Sequence, residues 1–118
     1  MTAMDVTIYH NPRCSKSRQA LALLQEKGLT PRVVEYLKTP PTRDELAAII
    51  KATGEPVRAL LRRQGSPYDD LGLGDDTWSD DQILDFMAEH PALLNRPVVV
   101  TAKGARLGRP TERILEIL

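Results

Sequence analysis

Apolar and other positions alternate over "VTIYH" (Val6 to His10), the period-2 signature of a short strand, and the alternation stops at Asn11-Pro12. From Ser15 the period lengthens. Ala20, Leu21, Leu23 and Leu24 cluster at helical spacing, and Gly28 supplies a left-handed stop. "RVVEYL" (Arg32 to Leu37) reads as a second strand, so strand, helix and strand form a parallel pair with a right-handed crossover. Pro40-Pro41 ends that strand. Thr42 with Glu45 makes a capping box for a helix to about Thr53, closed by Gly54. "PVRALLRRQG" reads as a further short helix, and Ser79 with Gln82 caps a third, "DDQILDFMAEH". "RPVVVT" (Arg96 to Thr101), the turn "AKG" and "ARLG" predict an antiparallel hairpin. "PTERILEIL" predicts a last helix with Ile114, Leu115, Ile117 and Leu118 on one face. The expectation is an α/β chain with a mixed sheet (β-α-β, helical insertion, β-β-α), a single domain over residues 1–118 with the insertion at about 42–91.

Composition narrows the partners. At 118 residues and 42% hydrophobic the chain is the size of one ordinary domain, which buries roughly two-thirds of the surface its unfolded form exposes. Sixteen basic residues balance sixteen acidic ones, so no global field draws it to nucleic acid or to an anionic membrane, and any anion site is local. The longest apolar runs fall far short of the roughly 20 residues that cross a bilayer, and "MTAMDVTIYH" lacks the pattern of an export signal, so a cytoplasmic location is expected. The acidic run from Asp69 to Asp81 reads as a solvated loop and a helix first turn, with Trp78 as a local anchor.

Candidate chemistry gathers at "HNPRCSKSR" (residues 10–18), which holds the one cysteine of these 118 residues. Cysteines are often inert core filler. Cys14, however, follows a strand that ends at a proline and precedes a helix, where free N–H groups and the positive end of the dipole favour a thiolate. Arg13, Lys16 and Arg18 add positive charge, and the same surroundings suit an oxyanion. A dithiol motif needs a cysteine at position 17, which is Ser17, so any second sulfur comes from another molecule. A phosphatase loop needs arginine at position 20, which is Ala20. A protease-like pair with His10 lacks an evident orienting partner beyond Asn11. Taken alone, His10 also reads as a strand-end residue bonded to backbone. No cofactor or metal site is expected.

"IYHNPRCSKSR", "YLKTPPTRDEL", "RALLRR", "YDDLGL", "HPALLNRPVVV" and "GARLGRPTERILEIL" resemble, in order and nearly throughout, the glutaredoxin-dependent arsenate reductase family of the thioredoxin fold, in its short form without a C-terminal extension. The resemblance implies that Cys14 attacks arsenate to form a thiolate–arsenic adduct, that glutathione as co-substrate attacks the adduct, and that glutaredoxin resolves it to arsenite. It implies an arginine triad for the oxyanion at Arg62, Arg96 and Arg109, with Asn11 beside it, and roles for His10 and Ser17 in orienting or activating the sulfur. It also implies a cis bond before Pro97. Arg13, Ser15 and Lys16 differ from the pattern of the plasmid-borne enzymes. Three other readings stay open: a glutathione-linked thiol oxidoreductase of another substrate, a non-catalytic transcriptional regulator of the same fold, whose two-cysteine switch Ser17 removes, and an inactive remnant that binds an oxyanion.

Overall fold

A computed structural model describes residues 5–118. The chain divides into two compact units, one made of the segment up to Thr39 together with Arg96–Leu118, the other of Pro40–Asn95.

The first unit is a four-stranded mixed sheet. Strand β1 (Thr7–His10), helix α1 (Ser15–Glu26) and strand β2 (Arg32–Glu35) form the parallel crossover, with Ile8 opposite Val33. Strands β3 (Val98–Thr101) and β4 (Gly104–Leu107) form the hairpin, β3 runs antiparallel to β1, and the order is β2-β1-β3-β4. This is the mixed sheet the patterning implied and the thioredoxin-like arrangement the resemblance implied. Val6, Ile8, Ala20, Leu24, Val99, Ile114 and Ile117 make its core. Each large aliphatic side chain among them contributes about 1.5–3 kcal/mol on burial. Gly28, at φ +77°, turns the chain away after α1, as expected.

The last segment departs from expectation. Thr111–Ile117 is a 3₁₀ helix rather than an α-helix. With three residues per turn, positions three apart eclipse. Ile114 and Ile117 therefore enter the core together while Leu115 stays 44% exposed, so the four apolar residues do not share one face.

In the second unit, α2 (Arg43–Thr53) opens with the Thr42/Glu45 capping box and closes at Gly54, φ +71°. The Ser79/Gln82 box opens α3 (Asp80–Glu89). Both boxes were legible because they are contacts between residues three apart. "PVRALLRRQG" is helical only as a 3₁₀ turn over Val57–Leu60, because Leu61 instead pairs with Leu94 in an isolated antiparallel bridge. Trp78 anchors the acidic loop: its indole Nε1 donates to the Gly72 carbonyl, and its ring meets Phe86 edge-on at 5.0 Å. Arg58 donates to the carbonyls of Leu73 and Asp75, giving that loop cationic support from within its own unit.

Candidate active site

The chain leaves β1 at His10 and turns tightly. The Cys14 N–H donates to the Asn11 carbonyl at 3.0 Å, and the Arg13 N–H to the Asn11 side-chain oxygen at 3.0 Å. An Asx turn of this kind is a favoured use of asparagine, and it delivers Cys14 as the N-cap of α1 in extended conformation. The Cys14 carbonyl takes the first helical bond, from the Arg18 N–H. The thiol thus lies where the first-turn amides are unsatisfied.

Ser17, wholly buried, ties this turn to the strand. Its Oγ accepts from the Asn11 N–H at 3.0 Å and lies 2.6 Å from His10 Nδ1. His10 is itself 5% exposed. Burial holds its pKa below the ordinary imidazole value, with the nearby Glu35 carboxylate opposing and Arg18 assisting. His10 is therefore the neutral form near pH 7, and its Nδ1 shares one hydrogen bond with the serine hydroxyl. Its partner is a side chain, not the backbone that its strand-end position suggested.

The hairpin brings the arginines. Val98 pairs with Leu107 at the open end of the hairpin, and Arg96 and Arg109 each lie two residues beyond that pair. Both precede prolines through cis bonds, Arg96-Pro97 and Arg109-Pro110. The first was implied by the family resemblance; the second had no signal. Arg109 Nε donates to the Arg96 carbonyl at 2.7 Å, and its Nη2 reaches Cys14 Sγ at 3.5 Å. Arg96 Nη1 meets the hydroxyl of the fully buried Tyr36 at 3.5 Å. Gly108 leaves room for this seat: a Cβ there would stand 3.0 Å from Pro97 Cγ. Its N–H donates to the Pro97 carbonyl at 2.8 Å.

Partial burial pushes the Cys14 thiol up, but the Ser17 N–H, the Arg96 side chain, the Lys16 N–H and the charge of Arg109 together outweigh it, and the pKa is lowered. The side chains of Arg13, Lys16 and Arg18 are exposed, and Arg18 Nη1 is turned to the Pro12 carbonyl. The charge beside the sulfur therefore comes from residues more than 80 positions away rather than from its flanking cations.

Cys14, His10, Asn11, Ser17, Arg96 and Arg109 are brought together within the first unit. Arg62 belongs to the second, where its N–H donates to the Leu93 carbonyl at 2.7 Å and its Nη1 meets Asn95 Oδ1 at 3.4 Å. Tyr36 and Gly108 were missed. A glycine directly before an Arg-Pro pair was the available signal for the second. Among the described residues, no group of three or more His, Cys, Asp or Glu could hold a metal ion, and no helix is long and apolar enough to cross a membrane.

A cysteine at a helix N-cap, lowered in pKa and faced by two guanidinium groups, is equipped to attack the centre of a tetrahedral oxyanion while holding its oxygens. Residues 9–117 match the model of the ArsC family. The arsenate reductase of Escherichia coli (strain K12) is 53% identical over 114 residues, 97% of this chain and 81% of that protein. The arsenate reductase of Rhizobium meliloti (strain 1021) is 55% identical over 115 residues, 98% of this chain and 82% of that one. The solved structure of arsenate reductase from Vibrio cholerae superimposes with a TM-score of 0.94 at 50% identity, covering 99% of this chain and all of the other.

Proposed function

The chain belongs to the ArsC family, and on that premise we propose that it reduces arsenate to arsenite with glutathione and glutaredoxin as the source of electrons. The observation that carries the reading is the contact of Arg109 Nη2 with Cys14 Sγ, with Arg96 acting on the same sulfur. Guanidinium groups there serve twice. They stabilise the thiolate, and they hold oxyanion oxygens with charge-assisted bonds. Arg62 enters through the family pattern.

The Cys14 thiolate attacks arsenic(V), forming a sulfur–arsenic bond as one arsenate oxygen leaves with protons as water. The thiol of glutathione then forms a second sulfur–arsenic bond and expels another oxygen as water. A glutaredoxin thiolate attacks the glutathionyl sulfur. That sulfur–arsenic bond breaks with its electron pair staying on arsenic, which becomes arsenic(III), and a glutathione–glutaredoxin disulfide departs. Water finally releases arsenite and frees Cys14. Two external thiols supply the two electrons, consistent with the one cysteine in these 118 residues. The need for reduced glutathione assigns the work to a reducing compartment, the cytoplasm.

The test is an NADPH-coupled assay containing glutathione, glutathione reductase and glutaredoxin, started with arsenate. Turnover is expected in the wild type and lost in Cys14→Ser. Arg96→Ala and Arg62→Ala are each expected to raise the KM for arsenate while Cys14 remains open to alkylation. Turnover that persists in Cys14→Ser rejects the mechanism. Reduction of a mixed disulfide but not of arsenate would favour a thiol oxidoreductase.

A further inference from the structure

We propose that a cavity on the β2 side of the Cys14 turn binds the glutathione that attacks the arsenic adduct, an inference that rests on the glutathione-coupled reading above. The cavity, of about 330 Å³, lies within the first unit and is lined by His10 to Arg13 of the turn and by Glu35, Leu37 and Lys38 beyond β2. Three observations converge on it.

The first is position. In the order β2-β1-β3-β4 the turn after β1 has two flanks. Arg109 reaches the sulfur from the end of β4, while Arg96 Nη1 extends to the Tyr36 hydroxyl just beyond β2. The cavity occupies the β2 flank. Its wall includes Arg13, the residue next to Cys14, and the turn is closed by the bond from the Cys14 N–H to the Asn11 carbonyl. A second nucleophile seated there lies beside the turn that carries Cys14, between that turn and the end of β2.

The second is charge. Glutathione carries two carboxylates and one ammonium group. The lining carries two cations, Arg13 and Lys38, and one carboxylate, Glu35. Lys38 Nζ and Glu35 Oε1 are 3.7 Å apart, so both signs stand on the same wall. The cavity thus offers one opposite charge for each charge of the ligand, as electrostatic complementarity requires for specificity. His10 is held neutral and adds no competing charge.

The third is size and texture. Leu37 is 45% exposed and, with Pro12, supplies apolar contact for the methylene groups of an extended peptide. The volume sits at the lower end of the roughly 300–1,000 Å³ of small-molecule sites and suits a ligand of about 20 non-hydrogen atoms.

Steady-state kinetics with varied glutathione test the assignment, alongside a titration of ¹⁵N-labelled wild-type protein with S-methylglutathione, which cannot react. Lys38→Glu is expected to raise the KM for glutathione about fivefold, and Arg13→Glu with Lys38→Glu more than either alone, with the KM for arsenate within about twofold of wild type. Glu35→Gln is expected to abolish the preference of the wild type for glutathione over glutaryl-cysteinyl-glycine, which lacks only the ammonium group. At about 10 mM S-methylglutathione the amide shifts are expected at Asn11, Arg13, Glu35 and Lys38. Shifts confined to other residues, no shifts at all, or unchanged glutathione KM values in the charge variants would overturn the site. Failure of the coupled reading itself shows separately, as wild-type protein with an alkylatable Cys14 and no glutathione-dependent arsenate turnover.

Discussion

Replacing Arg109 by glutamine removes a charge whose nitrogen touches the nucleophilic sulfur. At the observed 3.5 Å, a unit charge pair is worth about 1 kcal/mol in water-like surroundings and about 5 kcal/mol at an effective dielectric constant of 20. Cys14 is half-buried and open to water, so the lower end applies, about 1–2 kcal/mol. That corresponds to a thiolate fraction about five- to thirtyfold smaller at a pH below both midpoints. A more basic thiolate is also a better nucleophile, with a sensitivity of about 0.4–0.5, which returns part of the loss. Iodoacetamide alkylation, followed by mass spectrometry from pH 4 to 10, should therefore be about two- to sevenfold slower in Arg109→Gln at acidic pH and about two- to fivefold faster on the alkaline plateau, with the curves crossing. The sign follows from the direction of the shift: the wild-type pKa is lowered, so its rate rises first as the pH increases. Equal urea midpoints would show that the variant keeps its fold. Superimposed pH–rate curves would refute the claim that the guanidinium group stabilises the thiolate.

Gly108→Ala drives a methyl group to 3.0 Å from Pro97 Cγ and 3.4 Å from Ile114 Cγ2; urea unfolding should show a loss of about 1–3 kcal/mol, and an unchanged midpoint would mean the seat has slack. Thr42→Ala removes the acceptor of the Glu45 N–H and should cost about 0.5–2 kcal/mol by the same measurement, with Ser79→Ala similar at α3. The neutral His10 makes a pH signature. Its folded pKa lies below the ordinary imidazole value of about 6.5, so the unfolded chain binds the proton more readily. Its contribution to stability is complete above about pH 6.5 and is lost as the pH falls through the folded pKa. Urea midpoints between pH 7 and pH 5 should fall in the wild type more steeply than in His10→Gln, and parallel profiles would contradict the assignment.

The parts of the site legible in advance are those made by neighbours in the chain. The strand end, the break at Asn11-Pro12 and the helix start at Ser15 are all within a few residues of Cys14, and they suffice to place the thiol at a helix N-terminus. The identity of the charges beside the sulfur was not legible in this way. Arg13, Lys16 and Arg18 are near in sequence, yet their side chains are exposed, whereas Arg96 and Arg109 are near only in space. Family resemblance, rather than any local pattern, pointed to the latter pair.

The distinction has a physical basis. Capping boxes, the Gly28 and Gly54 stops and the alternating strand residues depend on bonds spanning two to six positions and on intrinsic backbone preference, so the order of amino acids alone determines them. The closeness of Arg96 and Arg109, the roof of Gly108 against Pro97, the burial of Tyr36 beneath a guanidinium group and the 3₁₀ winding of Thr111–Ile117 depend instead on strand register and on which surfaces the core excludes from water. Those are settled only when segments far apart in the chain pack, because burial energy is a property of the assembled surface and not of any one stretch of it.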